Sequence, residues 1–340
     1  MKFALSLGAG AVLISGLIAA PACSSNSDDG SNVNGTGAAG SGANGSGANG
    51  SGANGTGANG SGASSNAGTG AILNLGGGNG EPQAGDKGTG SSDPREVCDG
   101  IDNDGDGIID NVDKNSDGVC DCLLIATLGV KGTSGKGDVF AAWLTARSDA
   151  GAADLADQIL TPALLAKYQV IVAQDVRKGH QYDDSEVKAL SDWVNQGGGF
   201  MTLIGYSDAG EAHNVNRLLA PFGMSYTDEQ ILKKSGSNTI PITMWTPHPI
   251  DSGVTQVGVD NGYPVQGMGT TIATGGGFDV AKVQDVGKGH VFLWGDEWIT
   301  YNSEWNDHPD YQVQLFWLNA IKWLTVAGEC QVAIPPNPPK

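Results

Sequence analysis

The residues of this chain best suited to chemistry are aspartates at a fixed spacing. Asp102-Asn103-Asp104-Gly105-Asp106-Gly107-Ile108-Ile109-Asp110 is followed closely by Asp113-Lys114-Asn115-Ser116-Asp117-Gly118-Val119-Cys120-Asp121. Both windows fit D-x-[DN]-x-[DN]-G-x-x-D. In a tight turn, oxygens at positions one, three and five converge on one point. A glycine at six permits the bend, the carbonyl at seven adds a donor, and the acid at nine closes the cage. Calcium, a hard ion taking about six to eight oxygens, suits such a set better than magnesium, whose geometry is stricter. The expected ligands are the side chains of Asp102, Asp104, Asp106, Asp110, Asp113, Asn115, Asp117 and Asp121, with the carbonyls of Ile108 and Val119. Ile108, Ile109 and Val119 would form a small apolar base. Residues 93–122 hold ten acids and two bases, so −8 of the net charge of −19 falls there. Crowded carboxylates repel one another, and a divalent ion would relieve this and order the loop; the alternative is a solvated acidic linker. An EF-hand is excluded by the lack of flanking helices and by Asp113 at position twelve, where that motif needs Glu. Zinc is disfavoured, because Cys120 and Cys122 are closer than a C-x-x-C pair and no His is near. The acidity also argues against nucleic acid, whose phosphates require Lys and Arg.

A second constellation is Gly205-Tyr206-Ser207-Asp208-Ala209, which approximates a hydrolase elbow. Ser207 as nucleophile would need a His base and an acid within reach. His213, His248 and His290 are the bases to consider, and Asp175, Asp208 and Asp296 the acids; Ser207, His248 and Asp296 form the triad that this alternative favours. The plainer reading is that Ser207 or Asp208 caps the next helix. His248 lies between prolines, and His290 follows a Lys288-Gly289 hairpin turn, where it is expected to face solvent.

The elements that must position these residues follow from periodicity. Strands are predicted at Cys122–Val130, Gln169–Gln174, Phe200–Ile204, Ile240–Met244, Val280–Val286 and His290–Trp294. Helices are predicted at Asp138–Ala146, Thr161–Tyr168, Asp184–Gln196, Glu211–Leu219 and Asp310–Thr325. Pro162 suits a first turn, and Gly197 is a stop signal. Strands alternating with helices predict a parallel α/β sheet, with any ligand beyond the carboxyl ends of the strands. That rule gathers Gln174, Asp175, Tyr206, Ser207, Asp296, Glu297 and Trp298 around one crevice. Trp298, Trp305 and Tyr206 could stack on a sugar or another flat ligand. Trp193, Trp317 and Trp323, on helices, are expected in the core. Asp296-Glu297 is either a paired-acid site or a strand-end turn.

Local phrases carry two resemblances. Cys98-Asp99-Gly100-Ile101-Asp102-Asn103-Asp104-Gly105-Asp106-Gly107-Ile108-Ile109-Asp110 resembles thrombospondin type 3 repeats, and more closely a metal-binding motif of bacterial surface proteins. Some of those carry Cys where Gly105 stands. Tyr168-Gln169-Val170-Ile171-Val172, Trp193-Val194, Gly197-Gly198-Gly199-Phe200, His248-Pro249-Ile250 and Gly295-Asp296-Glu297 together resemble the class I glutamine amidotransferase-like group, ThuA-like relatives included. This resemblance implies a flavodoxin-like parallel sheet sandwiched by helices over most of 122–326. The amidotransferase nucleophile is a Cys in G-x-C-x-G, served by a later His-x-Glu. This chain has neither, so the domain is expected to bind rather than to transfer amides.

The N-terminus reads as an export signal: Lys2, an apolar run from Phe3 to Ala20, then Ala20-Pro21-Ala22-Cys23. It resembles the bacterial lipoprotein signal, which implies cleavage after residue 22 and acylation of Cys23, and Ser24 favours the outer membrane. Residues 23–92 carry a Gly-Ser-Gly-Ala-Asn repeat without large apolar groups and are expected to be a disordered tether. Sixty-nine residues beyond Cys23 would reach about 40–50 Å. The expected divisions are thus 1–22 signal, 23–92 lipidated Cys and linker, 93–121 calcium module, 122–330 α/β domain and 331–340 a disordered Pro-rich tail. Export permits disulfides. Cys98, Cys120, Cys122 and Cys330 allow three pairings; Cys98–Cys120 with Cys122–Cys330 is favoured. The expected partners are a membrane, through the lipid, and a glycan or other envelope component. A surface protein with a purely structural or adhesive role is the third alternative.

Overall fold

Runs such as Ile125–Gly129 and Val170–Gln174 are apolar at nearly every position and buried at every position. Strands of that kind need cover on both faces, as in a parallel sheet between helices. In the computed structural model they are β1 (Ile125–Gly129) and β3 (Val170–Gln174), beside β2 (Ala153–Asp154), β4 (Gly199–Thr202) and β12 (Gly289–Trp294). Residues 96–129, 137–156, 158–174, 176, 181–205, 209–236 and 239–338 are described, all within one compact unit, Gly80–Lys340. The expected signal sequence, Cys23 and the tether lie outside the described residues.

The five strands are parallel in the order β2-β1-β3-β4-β12. Three antiparallel strands extend the sheet: β11 (Phe278–Val286), β10 (Thr270–Gly275) and β7 (Met244–Trp245). Two small antiparallel pairs stand apart, β5 (Met224–Tyr226) with β9 (Val265–Gly267) and β6 (Ile240–Ile242) with β8 (Val257–Val259). The predicted Ile240–Met244 strand is therefore split between two sheets.

Alternation along each strand feeds two cores. Ile125, Val170, Val172, Met201, Phe292 and Trp294 meet α1 (Asp138–Thr145), α5 (Asn302–Asp307) and α6 (Val313–Leu324) on one face. Ala126, Leu128, Ile171, Ala173, Phe200 and Leu293 meet α2 (Pro162–Leu165), α3 (Asp184–Gln196) and α4 (Ala209–Leu219) on the other. α3 has the predicted bounds because a capping box, Asp183 with Glu186, starts it and Gly197 at φ 132° ends it. The next two glycines are needed for close approach. A Cβ on Gly198 would lie 2.3 Å from the Trp193 ring, and one on Gly199 2.2 Å from the Leu324 carbonyl. α6 starts later than predicted, because Gln312 is drawn to Thr255 and Gln256. Among the described residues no helix is long and apolar enough to cross a membrane.

The cysteines form two disulfides in a different pairing from the favoured one: Cys98–Cys122 and Cys120–Cys330. The reason is a contact between module and tail. The Ile109 amide donates to the Gly328 carbonyl, and the Cys330 amide to the Ile109 carbonyl. This brings Cys330 beside Cys120, and both sulfurs approach the Asp110 carbonyl. The start of the tail expected to be disordered is packed as far as Pro335. Val332 is buried, Lys322 Nζ donates to the Val332 carbonyl at 2.7 Å, and Pro335 lies against Gly118.

Candidate functional site

The two acidic windows fold alike. The carboxylate at position one accepts from the glycine amide at six (Gly107 to Asp102, Gly118 to Asp113). Position three accepts from the amide at five, and five from the amide at seven, in both loops. Position four is left-handed in both, at Gly105 (φ 75°) and Ser116 (φ 56°), as is the glycine at six. The side chains at positions one, three and five are thus aimed by the backbone of their own loop.

Beyond this the loops differ. In the first, Glu96 is buried and accepts from the Asp104 and Asp110 amides. Its carboxylate and those of Asp102 and Asp104 offer oxygens within 4.8 Å of one another, the one such group of three among the described residues. Glu96 was missed because it lies outside the repeating window. Asp110, expected to close the cage, accepts from the Asp99 and Gly100 amides. In the second loop Asp117 is buried and ion-paired at 3.3 Å with Arg147. Burial raises the Asp117 pKa, while the Val119 amide and Arg147 oppose that. Asp121 accepts from the Lys114 amide. Val119 faces the core, whereas Ile108 and Ile109 are half-buried. The donors are hard oxygens throughout, and the first loop fits a cation such as calcium on that chemistry.

A cavity of about 250 Å³ opens where β12 ends, lined by Lys234, Asp260, Asn261, Asp296, Glu297, Trp298 and Tyr301. Gln174, at the end of β3, donates to Thr300 Oγ1 at 2.7 Å and to Glu297 Oε2 at 3.5 Å. Tyr301 Oη donates to Glu297 Oε1 at 2.7 Å. The Asp260 amide donates to Asp296 Oδ2 at 2.5 Å. Asp260 is paired with Lys234 at 2.8 Å and takes the Asn261 amide at 2.6 Å. Burial holds the Asp296 carboxyl well above the usual range, the two amides it accepts from oppose this, and nearby Glu297 adds to it. Glu304 is raised well above its usual value too, chiefly by burial.

Of the expected crevice, Gln174, Asp296, Glu297 and Trp298 meet here. Asp175, Tyr206, Ser207 and Asp208 lie outside the described residues. Trp298 is almost buried, its indole N–H given to Ser303, and Trp305 packs in the core against Phe140 and Trp143. Trp305 is therefore no stacking platform. Trp193 and Trp317 are core residues as expected, whereas Trp323 is half-buried between two histidines. His248 and His290 both lie against Trp323, with His290 Nδ1 2.9 Å from Asp285. His290 is thus packed rather than freely solvated. It is the second residue of β12, while Asp296 follows the other end, roughly 20 Å along the strand at about 3.3 Å per residue. His248 shares the His290 end, so the structure does not bring His248 and Asp296 together. His213 is exposed on α4. Sequence reasoning missed Lys234, Asp260, Asn261 and Tyr301. The first three come from loops after β5 and β8, joined by the Leu232–Gly262 bridge, and no local motif marks that meeting.

No protein-family model matches the chain, and no curated protein sequence matches it. Among solved structures, a cytoplasmic protein of Salmonella typhimurium LT2 is similar at 13% identity and a TM-score of 0.46, over 60% of this chain and 100% of that one. A ThuA-like protein of Parabacteroides merdae is similar at 10% identity and a TM-score of 0.38, over 63% of this chain and 92% of that one. A β-galactosidase of Rahnella sp. R3 is similar at 13% identity and a TM-score of 0.39, over 58% of this chain and 31% of the enzyme. The parallel α/β sheet rests on the strand pairing itself.

Proposed function

We propose that the chain is an exported envelope protein, held at the outer membrane by lipid on Cys23. In this reading its acidic module binds calcium, and its amidotransferase-like α/β domain binds a hydroxyl-rich ligand, a carbohydrate or another envelope component, without catalysis. The observation that supports ligand binding most is the strand-end cavity. Its carboxylates and amides are fixed by one another before any ligand arrives, beside Trp298 and Tyr301. Hydroxyl groups are read by such convergent, preset polar groups in a concave site. For calcium, Asp102, Asp104 and Glu96 are the side chains best grouped to hold the ion, which would supply charge compensation and loop order.

The test is a glycan array probed with the exported chain and with Asp260→Ala. Binding to defined glycans that is lost in the variant supports the reading. A blank array, or binding unchanged in the variant, contradicts it. Anchoring is tested by palmitate labelling, which should label the parent and leave Cys23→Ser unlabelled.

A further inference from the structure

We propose that Arg147 is the resident cation of the second acidic loop, so that the module takes one calcium ion, in the first loop, and not two. This rests on the calcium reading above and refines it.

The two loops can be compared position by position. At position five, Asp106 is exposed and its Oδ2 accepts the neutral side-chain amide of Asn111 at 2.9 Å. The corresponding Asp117 accepts the Val119 amide at its Oδ1 and holds its Oδ2 3.3 Å from the Arg147 guanidinium. Both members of that pair are 8% exposed. Arg147 is itself fixed: its guanidinium lies 4.3 Å from the Trp143 ring centroid, and Nη1 donates to the Trp143 carbonyl at 3.2 Å. A guanidinium always carries its charge and is held there by the ring.

Charge makes the same distinction. Residues 93–111 contain seven acids and one base, Arg95. Residues 112–122 contain three acids and Lys114, and Arg147 joins them in space. The first loop therefore keeps a net charge of −6 in its sequence, which favours a divalent ion, while the second is close to neutral. A divalent ion at Asp117 would have to sit against a fixed cation in a poorly solvated place, where like charges repel strongly. The second loop is thereby a metal-independent clamp between module and domain.

Calorimetric titration of EGTA-stripped full-length protein with CaCl₂ tests this. The expected result is one ion per chain for the parent. Asp117→Asn should keep that stoichiometry and affinity, whereas Asp104→Asn should weaken binding by at least about tenfold, as loss of support at a metal site does. Arg147→Ala should melt earlier in EGTA and should now take two ions. Two ions in the parent, falling to one in Asp117→Asn, would overturn the proposal and leave the calcium reading standing. No heat in any variant would overturn both. If Arg147→Ala does not fold, the Asp117→Asn stoichiometry still decides.

Discussion

Cys120 is bonded to Cys330, 210 residues away in the sequence. The acidic module is therefore fastened to the tail that follows the last helix, and Cys98–Cys122 fastens it again at the entry to β1. The module is built onto the α/β domain and does not hang from it.

Cys330→Ser should consequently cost about 2–5 kcal/mol of stability, the usual range for loss of a native disulfide. Denaturant melts under oxidising conditions measure this. Because Ile109 and Asp110 lose their anchor at Cys330, the calcium binding proposed for the first loop should weaken as well.

Lys234→Ala should alter stability little, by under about 1 kcal/mol, because the Lys234–Asp260 pair is partly solvated. It should nevertheless abolish ligand binding if the cavity is the binding site. Melting and glycan binding measured on the same sample separate the two effects.

Asp296 and Glu304 make stability fall with rising pH. Their folded pKa values lie well above the ordinary 3.8 and 4.5, chiefly through burial. The unfolded chain releases these protons first, so their contribution is complete below about pH 4 and declines as pH rises toward the folded values. Asp296→Asn and Glu304→Gln should each flatten that decline. Urea midpoints from pH 4 to pH 8 would reveal it, and a wild-type slope in both variants would contradict it.

His248 acts in the opposite sense. Burial lowers its pKa from 6.5, partly offset by Asp251 and Asp285, with His290 reinforcing the drop. Its contribution is present above pH 6.5 and is lost as pH falls below that value, when the unfolded chain takes up the proton more readily. Chemical shifts of the His248 ring should titrate below 6.5. A midpoint above 6.5 would contradict the packing described here.

Much of the fold was legible because local signals agreed with the final packing. Asp183, Glu186 and Gly197 mark both ends of α3, and the Val170–Gln174 run could only be a buried strand. The strand-end rule found Gln174, Asp296 and Glu297 for the same reason. Lys234 and Asp260 were not legible, since their meeting depends on two loops outside the main sheet. The disulfide pairing was hidden too: it follows from Ile109 meeting Glu329, a contact that no spacing reveals. Arg147 carries no motif at all and acquires its role only by lying against Asp117.

The most direct measurement is the melting temperature of the EGTA-stripped protein with and without calcium. Ligand at about a hundred times its dissociation constant stabilises by about 2.7 kcal/mol, so Ca²⁺ should raise the melting temperature by several degrees, with magnesium far less effective. An unchanged melting temperature, together with no heat on titration, would contradict the account.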